Sequence, residues 1–327
     1  MDSNIKKCLI IGAGQLGSRH LQGLVKYLEQ LEIYVLDPSE SSLKVAQERE
    51  KEINHIHRLI YTKLWSDLPQ YFDLVIVATS ANVREQIINK LLEKHKVKFL
   101  ILEKVLFQDL DAYQRISLLL DQYNTITYVN HPRRMFQSYN ELKESIQTNG
   151  LNIYNIVGGN WGLGCNALHF LDLLVYISGK KIREISVSTV EDEIIKSPRE
   201  GFVEFTGTLT GYLEDKSPFS ITSFKADISP ITVTICNNEQ RFFIQEGGTP
   251  QVYSLELNNS FKLFNRDFRI QYQSELTSII VRELFEVGFC SLPSFAEARH
   301  THELFIKAML EKYNKIAGLQ TKVLPIT

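Results

Sequence analysis

The chain has no run of apolar residues near the ~20 that span a bilayer, which predicts no membrane helix and no membrane partner. It has little cysteine: Cys8, Cys165, Cys236 and Cys290 are far apart, and none forms a CxxC pair. That spacing predicts no disulfide frame and no zinc or other metal site, and fits a reducing cytoplasm. Charge of one sign is not in excess, with a formal net charge of -2 and no long block of either sign. A nucleic-acid or anionic-membrane surface is therefore not expected. The short apolar stretch of MDSNIKKCLIIGAG runs directly into glycines, unlike a signal peptide. Apolar residues make up 44% of the 327, enough for a folded chain larger than one typical core.

What is present alternates. Lys7–Ile11, Ile33–Leu36, Leu74–Ala78, Phe99–Leu102 and Ile126–Val129 read as strands. Gln15–Gln30, Leu43–Lys51, Val83–Lys94 and Leu110–Gln122 between them read as helices. Such alternation predicts βαβ units and a doubly wound parallel sheet over residues 1–130. Beyond residue 130 the pattern changes. Ser138–Thr148 and Leu168–Ile177 read as helices, the first stopped by Asn149-Gly150. Residues 182–265 read as strands punctuated by turn signals, and two helices near 274–287 and 295–316 close the chain. Residues 131–327 are thus expected to form a second α/β domain on an open, mainly antiparallel sheet, with the terminal helices packing back on the first domain.

The sharpest motif is Gly12-Ala13-Gly14-Gln15-Leu16-Gly17, between a strand and a helix. Gly12 permits the tight turn, Gly14 lets the backbone approach a pyrophosphate, and Gly17 lets helix and sheet pack closely. The N–H groups of Gln15 and Leu16 open a helix whose partial positive charge suits phosphate. Asp37 ends the second strand, 25 positions after Gly12. An acid there accepts hydrogen bonds from ribose hydroxyls and repels a 2′-phosphate, which favours NAD(H) over NADP(H). Thr79 and Ser80 follow another strand's carboxyl end. They either line the cofactor or cap the next helix.

GAGQLGSRH, VATS and KFLIL followed by Glu103-Lys104-Val105-Leu106 resemble the Gfo/Idh/MocA family of oxidoreductases. So do Val129-Asn130-His131-Pro132-Arg133-Arg134, His169-Phe170-Leu171-Asp172 and the closing Leu324-Pro325-Ile326-Thr327. The resemblance implies a Rossmann domain followed by an open-sheet domain that often mediates homo-oligomerisation, as a dimer or tetramer. It also implies hydride transfer between nicotinamide and a sugar, polyol or nucleotide-sugar. Lys104 takes the place of the family's active-site lysine; burial and a nearby cation lower a lysine's pKa, which suits proton transfer. His169 takes the place of a general base or substrate-hydroxyl ligand, with Asp172 one turn on as a supporting acid. Strand alternation turns Glu103 away from Lys104, toward a structural or cofactor-backbone contact.

Two departures stand out. Val105 replaces the family's proline, and a non-proline cis bond is costly. Cys165, with Asn166 beside it, stands where dehydrogenating members commonly carry an acid. A neutral thiol supplies no charge to strengthen the histidine. Arg133 and Arg134 are candidates for a substrate carboxylate or phosphate, or for interdomain salt links. Trp161 is a candidate for stacking on a sugar ring, or for the core. The departures keep open a non-catalytic, cofactor-sensing regulator, and after it a glycosidase using bound NAD.

Overall fold

A computed structural model describes residues 5–146, 150–226 and 228–327. In chain order the elements are β1 (Lys6–Ile11), α1 (Gln15–Leu24), β2 (Leu31–Leu36), α2 (Glu40–Glu50), β3 (Arg58–Thr62), β4 (Tyr71–Val77), α3 (Ala81–Lys94), β5 (Lys96–Leu102), α4 (Leu110–Tyr123) and β6 (Ile126–Val129). They continue with α5 (Gln137–Ser145), β7 (Ile153–Gly159), α6 (Leu163–Ser178), β8 (Ile182–Val190), β9 (Ile195–Lys196), β10 (Val203–Glu204), β11 (Gly207–Leu213) and β12 (Pro218–Phe224). Last come β13 (Thr232–Cys236), β14 (Gln240–Gln245), β15 (Gln251–Glu256), β16 (Phe264–Asp267), α7 (Gln273–Glu286) and α8 (Phe295–Ala317).

The chain divides into two compact units. The first takes the described residues up to Phe107, Asp111–Pro132 and Gln271–Ala298. Its six strands are all parallel, in the order β3-β2-β1-β4-β5-β6. The strand order reverses between β1 and β4, where open α/β sheets bind ligands beyond the carboxyl ends. Residues such as Leu9, Ile10, Val75, Ile76, Leu100 and Ile101 are fully buried, as expected of strands covered on both faces. Helix α7 packs on α1, so close that a Cβ on Gly23 would lie 2.4 Å from Thr277 Cβ.

The second unit takes Gln108–Leu110, Arg133–Ile270 and Arg299–Thr327. Its main sheet runs β16-β15-β14-β13-β7-β12-β11-β8, with β9 and β10 as a separate pair. Only β7 and β12 are parallel neighbours; every other pairing in that sheet is antiparallel. Helix α6 packs against β12, and Ile156, Phe219, Ile221 and Ile244 are buried while Ile153, Phe224 and Phe243 are exposed. The fold class is therefore the one the alternation predicts.

Four elements differ from the sequence expectation. Helix α1 stops at Leu24 rather than Gln30. His57 Nε2 bonds Val25 O at 3.1 Å, and its Nδ1 accepts from Leu31 N at 3.1 Å, so the imidazole takes groups a longer helix would use. Strand β3, which supplies that histidine's neighbourhood, has no counterpart in the sequence reading. Helix α6 begins at Leu163 rather than Leu168, which puts Cys165 and Asn166 on the helix and His169 in its second turn. Helix α5 ends at Ser145, where Ile146 turns extended, short of the Thr148 expected; the Asn149 stop signal lies outside the described residues.

Candidate functional site

The glycine loop leaves β1 at Gly12, whose φ of +95° is in the left-handed region. A Cβ on Gly12 would lie 3.0 Å from Ala78 C and O, so the turn closes against the end of β4. Gly14 is the N-cap of α1, and a Cβ there would meet nothing within 4 Å. The helix has no acidic residue in its first turn and no side-chain cap, which leaves its leading N–H groups to face an anion. Gly17 carries the tightest restriction: its Cβ would sit 1.8 Å from Gly12 O.

Asp37 braces this loop. Its Oδ2 accepts from Ala13 N at 2.7 Å and its Oδ1 from Ser39 N at 2.8 Å. A carboxylate has about four acceptor positions, so two remain for ribose hydroxyls. A cavity of about 470 Å³ lies over these ends of β1, β2 and β4, lined by Gly12, Gly14, Asp37, Trp65, Thr79 and Ser80 among others. Trp65 and Lys63 in that lining were not singled out in the sequence, where β3 had not been recognised. The Thr79 hydroxyl is buried with no hydrogen-bond partner among the described residues. Ser80 is the N-cap residue of α3, but its hydroxyl donates to Asn82 Oδ1 at 2.7 Å and does not cap the helix. Gln15 is turned aside, its Oε1 accepting from Arg49. Leu16 is half-buried in the first turn. An open Gly14, a braced Asp37 and an unsatisfied Thr79 hydroxyl are what a dinucleotide requires, so these residues fit the cofactor.

Lys104 follows the carboxyl end of β5, half-buried. The Lys104–Val105 peptide is cis, despite the absence of proline. Glu103 is 3% exposed and hydrogen-bonded inside the unit. Its Oε1 lies 2.9 Å from His20 Nε2 and accepts from Asn130 Nδ2 at 2.6 Å. His20 Nδ1 in turn meets Thr277 Oγ1 at 2.9 Å, and Asn130 donates to Gln273 Oε1 at 2.9 Å. Burial alone would raise the Glu103 pKa, but the bond to and charge of His20, the Asn130 amide and the Arg84 charge outweigh it and hold the carboxyl below its ordinary value. Of its two sequence readings, the structural one has the observed contacts.

In the second unit, Cys165, His169 and Asp172 share one face of α6 at i, i+4 and i+7 spacing. Asp172 pairs with an arginine. It is 3% exposed and forms a two-bond fork with Arg134, both contacts 2.7 Å. Arg133 is likewise engaged, with Nη2 donating to Glu246 Oε2 at 2.8 Å and its guanidinium 4.1 Å over the Phe170 ring. Burial would lower its pKa; the Glu246 charge and hydrogen bond reverse this and raise it. Both arginines pair with carboxylates of their own unit. Trp161 donates from Nε1 to Thr222 O at 3.0 Å and meets Phe170 edge-on at 5.4 Å, a core anchoring for this half-buried ring. Asn166 donates to Trp161 O at 2.6 Å.

The acid missing at Cys165 has a neighbour that the sequence did not signal. Glu204 of β10, 7% exposed, accepts from Gly164 N at 2.8 Å and from Cys165 N at 3.1 Å. It caps α6 from 39 residues away and explains why the helix starts at Leu163 despite Gly162 and Gly164.

Breaking a buried pair leaves an uncompensated charge. Asp172→Asn is therefore expected to lower unfolding free energy by about 3 kcal/mol, measured as a urea midpoint shift at constant slope. An unchanged midpoint would mean that the fork contributes no net stability.

The fold and cradle are those of an NAD-binding Rossmann domain. Residues 6–131 match the model of the oxidoreductase family with the NAD-binding Rossmann fold, GFO_IDH_MocA, the family that the motifs of this segment resemble. Among solved structures, one similar chain is a putative NADPH-dependent oxidoreductase from Desulfitobacterium hafniense (14% identity, TM-score 0.73, covering 97% of this chain and 99% of that one). Another is the transcriptional regulator Gal80p from Kluyveromyces lactis (15%, 0.74, 96% and 94%). A third is UDP-N-acetylglucosamine 3-dehydrogenase from Acidithiobacillus ferrooxidans (11%, 0.72, 94% and 97%). At these identities the likeness establishes the shared fold. No curated protein matches the sequence significantly. No helix among the described residues is long and apolar enough to cross a membrane, and no metal-binding cluster of His, Cys, Asp or Glu occurs among them.

Proposed function

We propose that this protein is an NAD(H)-dependent oxidoreductase acting on a sugar, polyol or nucleotide-sugar CH–OH group. The observation that carries the reading is the cradle at the switch point, where open Gly14, braced Asp37 and the unsatisfied Thr79 hydroxyl meet. When bound, the nicotinamide accepts or returns the hydride. Lys104, at the end of β5, moves the hydroxyl proton and steadies the developing alkoxide, and His169 shares that work through hydrogen bonding. The sugar class rests on the sequence resemblance and on the sugar-nucleotide dehydrogenase among the similar folds. The test follows absorbance at the NADH band across a panel of sugars, polyols and nucleotide sugars. Turnover of one class that is lost in a Lys104 variant supports the reading; no absorbance change with any of them refutes it.

Asp37 supports NAD(H) over NADP(H), since its fixed carboxylate would repel a 2′-phosphate. Asp37→Ser is expected to shift the NADP/NAD affinity ratio toward NADP by about 10²-fold, on the scale of a strongly desolvated charge contact. Calorimetry with both cofactors reads it, and an unchanged ratio would assign discrimination elsewhere.

A second reading, an NAD-binding regulator, is favoured by one feature: Cys165 leaves the His169 face of α6 with no carboxylate at the i−4 position. Tight NAD binding without turnover, together with capture of a protein partner, would select it. The open sheet face with Ile153, Phe224 and Phe243 supports a homo-oligomer, which light scattering tests directly.

A further inference from the structure

Arg84 is among the most deeply buried large side chains described, at 1% exposure, and it carries a charge. It lies in the first turn of α3, four residues after Ser80. A buried arginine's charge must be compensated. The Arg84 charge acts on the Glu103 carboxyl, and its guanidinium donates to main-chain carbonyls. Nη2 donates to Thr79 O, and Nη1 donates to Val105 O and, at 3.1 Å, to Leu106 O. Thr79 belongs to the loop after β4 that lines the cradle. Val105 and Leu106 belong to the turn after β5, and Lys104 precedes them directly. One planar cation therefore ties together the two loops that flank the carboxyl ends of β4 and β5. Its fork reaches acceptors on both; the single ammonium of a lysine offers no such pair of fixed arms.

We propose that Arg84 is a positioning residue for Lys104, its guanidinium holding the Lys104–Val105–Leu106 turn against the Thr79 loop so that the lysine is presented beside the cradle. This rests on the reading of Lys104 as the proton-transferring group. Geometry of this kind is felt strongly in catalysis, since a misplacement of about 1 Å costs on the order of 10²-fold in rate.

The experiment has two readouts on the full-length protein. The first is trace acetylation of every lysine as a function of pH, quantified by mass spectrometry, with and without NAD⁺. In Arg84→Met and Arg84→Lys, the reactivity profile of Lys104 is expected to shift by at least about 3-fold and its protection by NAD⁺ to weaken, while Lys98 on β5 keeps its profile. The second is steady-state kinetics: kcat is expected to fall about 10²-fold with KM and the NAD⁺ Kd within about 3-fold, the signature of lost positioning. Arg84→Lys keeps the charge and the size, so it answers the question if the methionine variant does not fold. A folded Arg84→Lys protein with wild-type Lys104 labelling overturns the proposal. Absence of turnover by the wild-type protein counts against the proposed reaction alone, and the labelling result still decides the role of Arg84.

Discussion

Gly17→Ala is expected to abolish tight NAD binding, weakening Kd by at least about 10²-fold, and to destabilise the protein by about 2 kcal/mol. The added Cβ would lie 1.8 Å from Gly12 O, 2.9 Å from Gly12 C and 3.4 Å from Ala78 Cβ. Two of the three atoms are backbone, so no rotamer change relieves the overlap. Either α1 or the glycine loop must move, and the loop movement breaks the 2.7 Å bond between Ala13 N and Asp37. Phosphate-facing N–H groups and ribose acceptor would be displaced together. Gly14→Ala provides the contrast, because its Cβ meets nothing within 4 Å of protein and its φ of -64° suits alanine. That variant is expected to keep the wild-type melting temperature and still lose affinity, since the methyl group projects into the space the pyrophosphate needs. Calorimetry and thermal melts on the pair read both effects. Wild-type affinity in both variants would remove the glycine loop from the cofactor site.

Lys104→Met is expected to lower kcat by about 10³-fold while leaving the NAD⁺ Kd within about 3-fold, on the scale of a removed general acid–base group. In free energy that is about 4 kcal/mol of transition-state stabilisation. The side chain starts from a half-buried position after the end of β5. Lys104→Arg separates its two roles. Arginine keeps the positive charge for an alkoxide but does not give up a proton at neutral pH. If the arginine variant matches the methionine variant, proton transfer dominates; if it retains most activity, charge dominates. Full activity in Lys104→Met would assign the chemistry to another group.

The legibility of this protein from its sequence was uneven, and the unevenness has a physical pattern. Gly12, Gly14 and Gly17 could be read because each acts through backbone geometry set within six residues. The parallel sheet was legible because strands buried on both faces leave continuous apolar runs such as Cys8–Ile11 and Leu74–Val77. β3, with an exposed end and half-buried middle, left no such run and was missed, and Trp65 and Lys63 beside the cradle with it. The Asp172 partner Arg134 was not legible, because spacing along a helix gives a shared face and not the element that packs on it.

The sequence by itself determined the class of fold, the family to which the first 130 or so residues are assigned, and the cofactor loop. These follow from periodicity and from short-range steric rules that hold wherever the motif occurs. The tertiary structure alone decided how polar groups are satisfied: Glu204 capping α6, His57 ending α1, His20 and Asn130 enclosing Glu103, Arg84 joining two loops. Each of these reaches a partner between about 20 and 85 residues away, and buried polar atoms must be paired wherever the fold brings a partner within reach. No local pattern encodes that choice, because the distance in space is fixed only once the strands and helices have packed.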